Sequence, residues 1–264
     1  MTANFLEVKE ITMDFGGVRA VSLVSFEIHP GEVIAMIGPN GAGKSTVLNM
    51  VSGIITPTQG EIYYKNQRLS RIKGHDYARL GITRTFQNLQ VFDDMTVLEN
   101  VMVGFHSNTK SGLISCGLKF GSSRKEEMDM HNRAYDLLKF VGIASLSYHQ
   151  AGSLSYGKLR LMEIARALAA NPKLLLLDEP AAGLNHSETA EMAEILSQIR
   201  AKGTAILLVE HDMDMVMNVA NRIVVLDQGE KIAEGLPTEI QANPKVIAAY
   251  LGQEEGIQTI SGGV

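Results

Sequence analysis

The order of apolar and polar positions along the chain predicts an α/β protein. Residues 5–11 alternate apolar and polar side chains, which is typical of a half-exposed antiparallel strand. Residues 33–37 and 174–177 are instead continuously apolar, and residues 204–209 are apolar after Thr204, as in parallel strands that are buried on both faces. Apolar residues at helical spacing follow each of these three runs. The pattern therefore predicts a parallel sheet covered by helices, with an antiparallel strand before it.

From about residue 88 to residue 168 the pattern changes from strands to helices. Thr96 and Glu99 form the sequence signature of a capping box, which predicts a helix that runs to about Phe105. Residues 107–122 are rich in glycine and serine and predict a loop that contains several apolar side chains. Two interpretations of these side chains stay open: a patch that faces a partner, or a loop packed on its own subdomain.

The C-terminal part of the chain predicts a hairpin and then a helix. Ile223–Asp227 and Glu230–Ala233 flank the turn residues Gln228 and Gly229. The stretch from Pro237 to Leu251 predicts one continuous helix, and the last dozen residues are expected to be loose.

A glycine-rich segment between the first buried strand and a helix carries the clearest chemistry. The segment satisfies the pattern G-x-x-x-x-G-K-[ST] with the residues Gly38, Pro39, Asn40, Gly41, Ala42, Gly43, Lys44, Ser45 and Thr46. Glycines let successive backbone N–H groups converge on phosphate oxygens, and the opening helix adds its positive end. Lys44 is expected to reach the β- and γ-phosphates of a nucleotide, and the Ser45 hydroxyl to ligate Mg²⁺. We interpret residues 38–46 as a phosphate-binding loop.

Two adjacent carboxylates follow the buried strand at residues 174–177. Asp178 and Glu179 end an apolar run, and a buried charge is costly unless a cation or hydrogen bonds compensate it. Because a phosphate loop lies upstream, we expect Asp178 to bind Mg²⁺ and Glu179 to polarise a water for attack on the γ-phosphate. The alternative is a plain turn at the strand end.

Five further positions are ambiguous from residue chemistry alone. Phe15, in a turn before the phosphate loop, suits stacking on an adenine ring as well as it suits covering a sheet edge. Gln87 ends a short predicted strand, where a surface glutamine is the simpler interpretation. Ser155 and Gly157 precede a predicted helix, where ordinary helix caps are common. His211 follows a buried strand, where packing histidines outnumber functional ones.

Composition and charge narrow the class of protein. Apolar residues make up 45% of the chain, enough for a sizeable core, and the formal net charge of −5 argues against broad nucleic-acid binding. Cys116 is the only cysteine, which excludes a disulfide framework and predicts a reducing compartment. We expect no signal peptide and no apolar run of the ~20 residues that a membrane span needs. Work at a membrane would therefore require a partner.

Taken in order, these motifs resemble the ATP-binding subunit of ABC transporters over nearly the whole chain. The phosphate loop, Gln87, the stretch 154–158 (Leu-Ser-Tyr-Gly-Lys), the Asp178-Glu179 pair and His211 follow that family's sequence order. The resemblance implies the α/β fold of ABC ATPases. In that fold a RecA-like P-loop NTPase core with an antiparallel β-subdomain would comprise residues 1–87 and 169–264. An inserted α-helical subdomain at 88–168 would carry the signature motif.

For nucleotide binding, the resemblance implies that ATP lies between two copies of such a domain. Phe15 would stack on the adenine ring and Lys44 would hold the phosphates. Ser155, Tyr156 and Gly157 would contact the ATP held by the second subunit.

For hydrolysis, the resemblance implies that Ser45, Gln87 and Asp178 serve Mg²⁺. Glu179 would act as the base or orient the attacking water, and His211 would contact the γ-phosphate. Positioning and charge stabilisation would lower the barrier, rather than covalent catalysis. The implied cofactors are ATP and Mg²⁺.

Two departures from the family pattern indicate a narrower group. Tyr156 and Lys158 replace the first glycine and the glutamine of the usual Leu-Ser-Gly-Gly-Gln, and Asn185 replaces the more usual aspartate after residues 182–184. With residues 84–87 and the tail at 243–252, these variants look like the branched-chain amino acid importers. The urea or amide importers and the lipopolysaccharide-export ATPase share parts of the same pattern.

The leading hypothesis is an energy-coupling ATPase subunit at the cytoplasmic face of the cell membrane. Its partners would be a second ATPase subunit, identical or related, integral membrane permeases and, indirectly, a solute-binding protein, with no nucleic acid. An alternative hypothesis from another functional class is a soluble ABC ATPase that is not coupled to transport. A third hypothesis is a monomeric P-loop kinase. The single nucleotide-binding domain and the acidic balance disfavour repair-type relatives, and a kinase has no use for the signature-like stretch.

Overall fold

The structure, a computed structural model, describes residues 5–69, 72, 76–85, 89–105 and 122–250, the side chains of 122–126 excepted. Within these residues the strands are β1 Leu6–Phe15, β2 Val18–Ile28, β3 Val33–Ile37, β4 Gln59–Tyr64, β5 Gln67–Arg68, β6 Ile82–Arg84, β7 Leu174–Asp178, β8 Ala205–Val209, β9 Arg222–Asp227 and β10 Glu230–Gly235. The helices are α1 Lys44–Val51, α2 Tyr77–Leu80, α3 Val97–Val103, α4 Ser122–Phe140, α5 Tyr156–Ala169, α6 His186–Ala201, α7 Met213–Val219 and α8 Pro237–Gln241. Short 3₁₀ turns lie at Ala144–Leu146 and Ala151–Ser153.

The first sheet is antiparallel, with the strand order β2-β1-β4-β5 in the described part of the chain. β1 pairs with β2 on one side, where Leu6 faces Ile28, and with β4 on the other, where Leu6 faces Tyr64. Leu6 and Val8 are buried while the residues between and after them are more accessible. The antiparallel strand predicted from residues 5–11 is therefore confirmed.

The second sheet has the order β10-β9-β3-β8-β7-β6 among the described strands. The five strands from β9 to β6 run parallel, and β10 returns antiparallel to β9 as the predicted hairpin. Because the strands are parallel, the carboxyl ends of β3, β6, β7 and β8 lie along one edge of the sheet. The phosphate loop follows β3, Asp178 and Glu179 stand at the end of β7, and His211 follows β8.

Both faces of the parallel sheet are buried, which explains the continuous apolar runs in the sequence. Leu174 and Leu176 of β7 point into a core shared with α1 and the antiparallel sheet. Leu175 and Leu177 point to the opposite face, into a core built with α3 to α7. Successive side chains of a strand face opposite sides, so only an unbroken apolar sequence fills both cores.

The described residues between β6 and β7 are mainly helical, as the sequence predicts. α3, α4 and α5 pack on one another. The predicted capping box is confirmed: Glu99 N–H donates to Thr96 Oγ1 (3.2 Å), and Thr96 N–H donates to Glu99 Oε2 (2.8 Å). Residues 107–121 lie outside the described residues, so both interpretations of their apolar side chains stay predictions. The subdomain bounds 1–87, 88–168 and 169–264 also stay predictions.

The single helix predicted from Pro237 to Leu251 is wrong. α8 ends at Gln241, and a second helical stretch covers residues 244–250. Pro244 disfavours helical geometry at the residue before it, Asn243. The Asn243 side chain instead accepts a hydrogen bond from Lys245 N–H (2.9 Å) and begins the next helix.

Candidate nucleotide-binding and hydrolysis site

The phosphate loop leaves β3 and enters α1 through positions that only glycine fills without strain. Gly38 has φ 150°, and a Cβ there would collide with the Leu226 carbonyl oxygen. Gly43 has φ 95°, and a Cβ there would lie 2.7 Å from the Ala20 carbonyl oxygen. The loop therefore packs closely between β9 and β2. Its backbone forms the surface that a ligand can contact.

Lys44 lies at the first position of α1 with its side chain folded against the loop. Its Nζ donates to the carbonyl oxygens of Gly38 (2.7 Å) and Pro39 (2.9 Å). Burial lowers the pKa of Lys44, while the negative charges of Glu179 and Asp178 act in the opposite direction. The fold therefore brings the loop lysine and the two carboxylates, which are far apart in sequence, into one electrostatic environment.

Asp178 at the end of β7 is a buried carboxylate. Among the described residues, one of its oxygens accepts a hydrogen bond and the other has no donor. Its Oδ2 accepts from Arg84 Nη2 at 2.8 Å, whereas its Oδ1 is buried and has no hydrogen-bond partner among the described residues. Burial raises the pKa of Asp178, and the Arg84 guanidinium opposes that shift. A hard divalent cation takes carboxylate oxygens as ligands, so an orphaned Oδ1 fits Mg²⁺.

Arg84 is a site residue whose role the sequence analysis missed. From β6 it reaches both Asp178 and α1, where it donates to Asn49 Oδ1 (2.6 Å) and Ser52 Oγ (2.8 Å). The guanidinium thereby fixes the tip of β7 against the helix that follows the phosphate loop. No local pattern predicts this, because the partners are 35, 32 and 94 residues away in sequence.

Glu179 follows Asp178 in a left-handed backbone conformation, with φ 48°. Its N–H still donates to the Val209 carbonyl (2.8 Å), which continues the pairing of β7 with β8. Consecutive residues of an extended strand point to opposite faces, so this turn redirects the Glu179 side chain. An unfavourable backbone conformation in a non-glycine residue is a feature of functional sites.

His211 comes to the same edge from the end of β8. Its Nδ1 lies 3.9 Å from Glu179 Oε1 and 3.7 Å from Glu210 Oε2, and 62% of its side chain is exposed. The structure therefore places His211 and Glu179 side by side, as their predicted roles at one phosphate require.

Phe15 lies at the end of β1 in the hairpin that leads into β2. It pairs with Val18, two residues before Ala20, which touches the phosphate loop. The Phe15 side chain is one of the exposed large apolar groups of the chain. An exposed aromatic ring on a hairpin next to the loop suits stacking on a base better than it suits covering a sheet edge.

The signature-like turn lies at the start of α5 and packs against the segment that follows Glu179. Ser155 is the N-cap of α5, yet its hydroxyl makes no capping hydrogen bond in the described part of the chain. A Cβ on Gly157 would meet the Glu188 carboxylate, and a Cβ on Gly183 would lie 3.0 Å from the Tyr156 ring. The Tyr156 hydroxyl accepts from Arg160 Nη2 at 2.8 Å.

The helical stretch at 244–250 lies beside the phosphate loop, which the sequence analysis did not foresee. Ala248 and Ala249 line a cleft together with residues 40–42 of the loop. Burial raises the pKa of the Tyr250 phenol, and the nearby backbone of Gly38 opposes that shift. Gln87 lies outside the described residues, so its predicted role at Mg²⁺ stays a prediction.

Comparisons with known proteins give the family. A family model described as an ABC transporter matches residues 21–182, and one described as a branched-chain amino acid ATP-binding cassette transporter matches residues 230–256. The high-affinity branched-chain amino acid transport ATP-binding protein LivG of Escherichia coli (strain K12) is 44% identical, covering 96% of this chain and 100% of LivG. BraF of Pseudomonas aeruginosa, of the same description, is 40% identical over the same shares.

Solved structures agree with this comparison. A nucleotide-free ATP-binding cassette from an ABC transporter matches with TM-score 0.82 and 34% identity, covering 94% of this chain and 98% of that one. The ADP conformation of such a cassette matches with TM-score 0.83 and 34% identity, covering 94% and 99%. The fold and the site thus define an α/β ATPase with a RecA-like core. The chain belongs to the ABC transporter family, as an ATP-binding cassette subunit.

Proposed function

We propose that this chain is the ATP-hydrolysing subunit of an importer of branched-chain amino acids. The observation that carries the proposal is the gathering of Lys44, Asp178, Glu179 and His211 at one edge of the parallel sheet. The names of the relatives at 44% and 40% identity support the cargo, as does the family match at residues 230–256.

The nucleotide would bind with its phosphates in the loop at 38–46 and its adenine on Phe15. The free N–H groups at the start of α1 and the Lys44 ammonium supply positive charge to the phosphates. The exposed Phe15 ring offers an apolar face on which the adenine base would stack. This contact would be the same whichever substrate is transported.

Ser45 and Asp178 would hold Mg²⁺, together with Gln87. The ion supplies charge neutralisation at the β- and γ-phosphate oxygens. Arg84 holds Asp178 Oδ2, so Oδ1 would be the oxygen available to the cation.

Glu179 would accept the proton of the attacking water or orient it, and His211 would contact the γ-phosphate. The two side chains already lie side by side in the chain's own site. Both groups act by geometry and charge, because phosphoryl transfer asks little covalent chemistry of the protein.

Ser155, Tyr156 and Gly157 would cover the ATP of a second subunit. The uncommitted Ser155 hydroxyl and the first N–H groups of α5 form a helix start that suits a phosphate. Closure of two subunits around ATP would drive the transporter, provided that ATP binds the closed pair more tightly than the open one.

The partners proposed are a second ATPase subunit, identical or related, integral membrane permeases and, indirectly, a solute-binding protein. We place the chain at the cytoplasmic face of the cell membrane, attached through the permeases. In the part of the chain that the structure describes, no helix has the length and apolar character of a membrane span.

Glu179→Gln tests the ATPase proposal, with Glu194→Gln as the matched control. Glu194 lies on α6 and accepts from Gln198 of the same helix. We expect Glu179→Gln to bind ATP, to elute as an ATP-dependent dimer and to lose about 10²–10³-fold in kcat, a loss typical of removing one preorganised catalytic group. Near-wild-type turnover in this variant would show that Glu179 neither accepts the proton of the attacking water nor orients that water.

Uptake in cells tests the cargo. A strain that lacks this subunit should lose uptake of labelled leucine, isoleucine and valine, and the wild-type gene should restore it while Glu179→Gln should not. Unchanged uptake of these amino acids together with a loss of urea or amide uptake would overturn the assignment of cargo but not that of ATPase.

A further inference from the structure

Glu210 is a buried carboxylate at the end of β8 that no step of the proposed function uses. Its exposed fraction is 0%. Oε1 accepts from Ala181 N–H at 2.7 Å, and Oε2 accepts from the N–H groups of His211 (2.8 Å) and Asp212 (3.2 Å). Three charge-assisted hydrogen bonds compensate the burial of this charge.

The three N–H groups belong to the two segments that carry Glu179 and His211. Ala181 lies in the turn after Glu179, which the bond from Ala182 N–H to the Glu179 carbonyl (3.1 Å) closes. His211 and Asp212 begin the segment after β8. One carboxylate therefore joins the two segments whose side chains meet 3.9 Å apart, from His211 Nδ1 to Glu179 Oε1.

The surroundings of His211 make this backbone link important. The side chain of His211 is 62% exposed, so packing does little to orient it. The position of its ring relative to Glu179 is then set by where the backbone of residue 211 begins and by the Glu210 carboxylate, whose Oε2 lies 3.7 Å from His211 Nδ1. Glu210 holds that backbone directly.

We infer that Glu210 is a positioning residue that sets His211 against Glu179 for hydrolysis, an inference that rests on the proposed function. Both of its oxygens act as acceptors toward N–H donors, on opposite sides of the carboxylate. A glutamine has only one acceptor oxygen, and its NH₂ group would face an N–H donor on the other side. Glu210→Gln therefore keeps the size of the side chain and breaks one of its two links.

The test compares Glu210→Gln with Glu32→Gln as a matched control. Glu32 also accepts from a backbone N–H, that of His29 (2.8 Å), but it lies at the start of β3, on the sheet edge opposite the site. We expect Glu210→Gln to lower kcat for ATP about 10- to 100-fold with the KM changed less than threefold, since small misplacements of catalytic groups carry penalties of that size. Glu32→Gln should stay within about twofold of wild-type kcat, because its carboxylate contacts no site residue.

A double-mutant cycle separates positioning from general structural support. If Glu210 acts through His211, Glu210→Gln in a His211→Ala background should lower single-turnover hydrolysis by less than about threefold. The same fold-loss in both backgrounds, or an unchanged kcat in the single variant, would overturn the inference. Should Glu210→Gln not fold, Glu210→Asp enters the same cycle with the same criteria, because its shorter side chain cannot span both segments.

The wild-type chain distinguishes this inference from the proposed function. Absence of ATP hydrolysis by the wild-type protein would remove the proposed function itself. A wild-type rate that responds to Glu179→Gln but not to Glu210→Gln would leave the proposed function intact and remove only the positioning role.

Discussion

Glu179 is held in a left-handed backbone conformation that disfavours any residue with a Cβ. With φ 48°, the residue turns the chain sharply after β7 while its N–H remains bonded to Val209. A glycine would adopt this conformation without a steric penalty. A glycine would also remove the carboxylate that we propose orients the attacking water, so stability and the proposed hydrolysis would place opposite demands on residue 179.

Glu179→Gly and Glu179→Ala separate these demands, because both variants remove the carboxylate and differ only in the Cβ. We expect the glycine variant to have the higher free energy of unfolding, by ~1 kcal/mol, the size of the left-handed penalty for a residue with a Cβ. Urea denaturation of the two purified variants measures the difference. Equal stabilities would show that the fold carries no strain at this residue.

The ionisation of Asp178 is expected to destabilise the fold at neutral pH. Burial raises the pKa of Asp178 above its ordinary value of 3.8, so the folded state holds this proton more tightly than the unfolded chain does. Stability from this group is therefore present below pH 3.8 and is lost as the pH rises through the folded-state pKa. Asp178→Asn imitates the protonated form, so its advantage over wild type should grow between pH 4 and pH 7 in Mg²⁺-free denaturation. A stability difference between Asp178→Asn and wild type that does not change with pH would contradict a raised pKa of Asp178.

At the scale of elements, the helix start at Asn185 explains one departure from the family pattern. The Asn185 side chain accepts from Glu188 N–H (3.0 Å), and Glu188 accepts from Asn185 N–H (3.1 Å), which closes a capping box at the start of α6. Asparagine and aspartate are similarly good at the N-cap. The change from the usual aspartate therefore preserves the helix start.

Asn185→Ala should lower the free energy of unfolding by ~1 kcal/mol, because α6 loses its cap. Asn185→Asp should stay within a few tenths of a kcal/mol of wild type, since the carboxylate accepts the same hydrogen bond. Thermal denaturation of the three proteins measures both values. A loss of similar size in both variants would show that the side chain does more than cap the helix.

The helical stretch at 244–250 is predicted to support nucleotide binding. Tyr250→Phe removes the hydroxyl that lies near the Gly38 backbone, and the loss of one polar interaction of this kind costs ~1 kcal/mol. We expect ATP to bind up to about fivefold more weakly as the loop loosens, measured by titration calorimetry. Tyr148→Phe, at an exposed tyrosine in the helical region, is the control. Unchanged affinity for ATP in Tyr250→Phe would show that the helical stretch at 244–250 packs on the protein without supporting nucleotide binding.

Most elements could be predicted from the sequence because their signals are local. The apolar run at Val33–Ile37 coincides with β3, and the capping box at Thr96 marks the start of α3. The phosphate loop is equally local, since nine consecutive residues between a strand and a helix specify it. The sheet edge then brings Asp178, Glu179 and His211 to the loop, which the parallel order of strands implies.

The parts that could not be predicted depend on contacts between distant segments. Arg84 carries no motif that points to Asp178, yet the two form a buried ion pair. Glu210 resembles any strand-end carboxylate until the turn after Glu179 is placed beside it. The break before Pro244 had a local signal, the proline itself, which the helical spacing of apolar residues outweighed in our prediction.

At the scale of the whole molecule, the proposed site is complete only when two subunits meet. Lys44→Ala removes the loop lysine, and Ser155→Ala removes the hydroxyl proposed to cover the partner's ATP. Each variant alone should hydrolyse ATP poorly. A mixture should regain up to about a quarter of the wild-type rate, because half of the dimers are mixed and one of their two sites is intact. No recovery on mixing would contradict a site shared between two copies of this chain.

The order of strands in the parallel sheet also bears on how the protein is made. β3, which presents the phosphate loop, is complete by Ile37, yet both of its neighbours, β8 and β9, come from residues 205–227. A ribosome therefore exposes the loop long before the strands that shape it exist, and such distant pairings form slowly. A nascent chain that stops short of β9 would contain every glycine of the loop and still fail to retain a nucleotide.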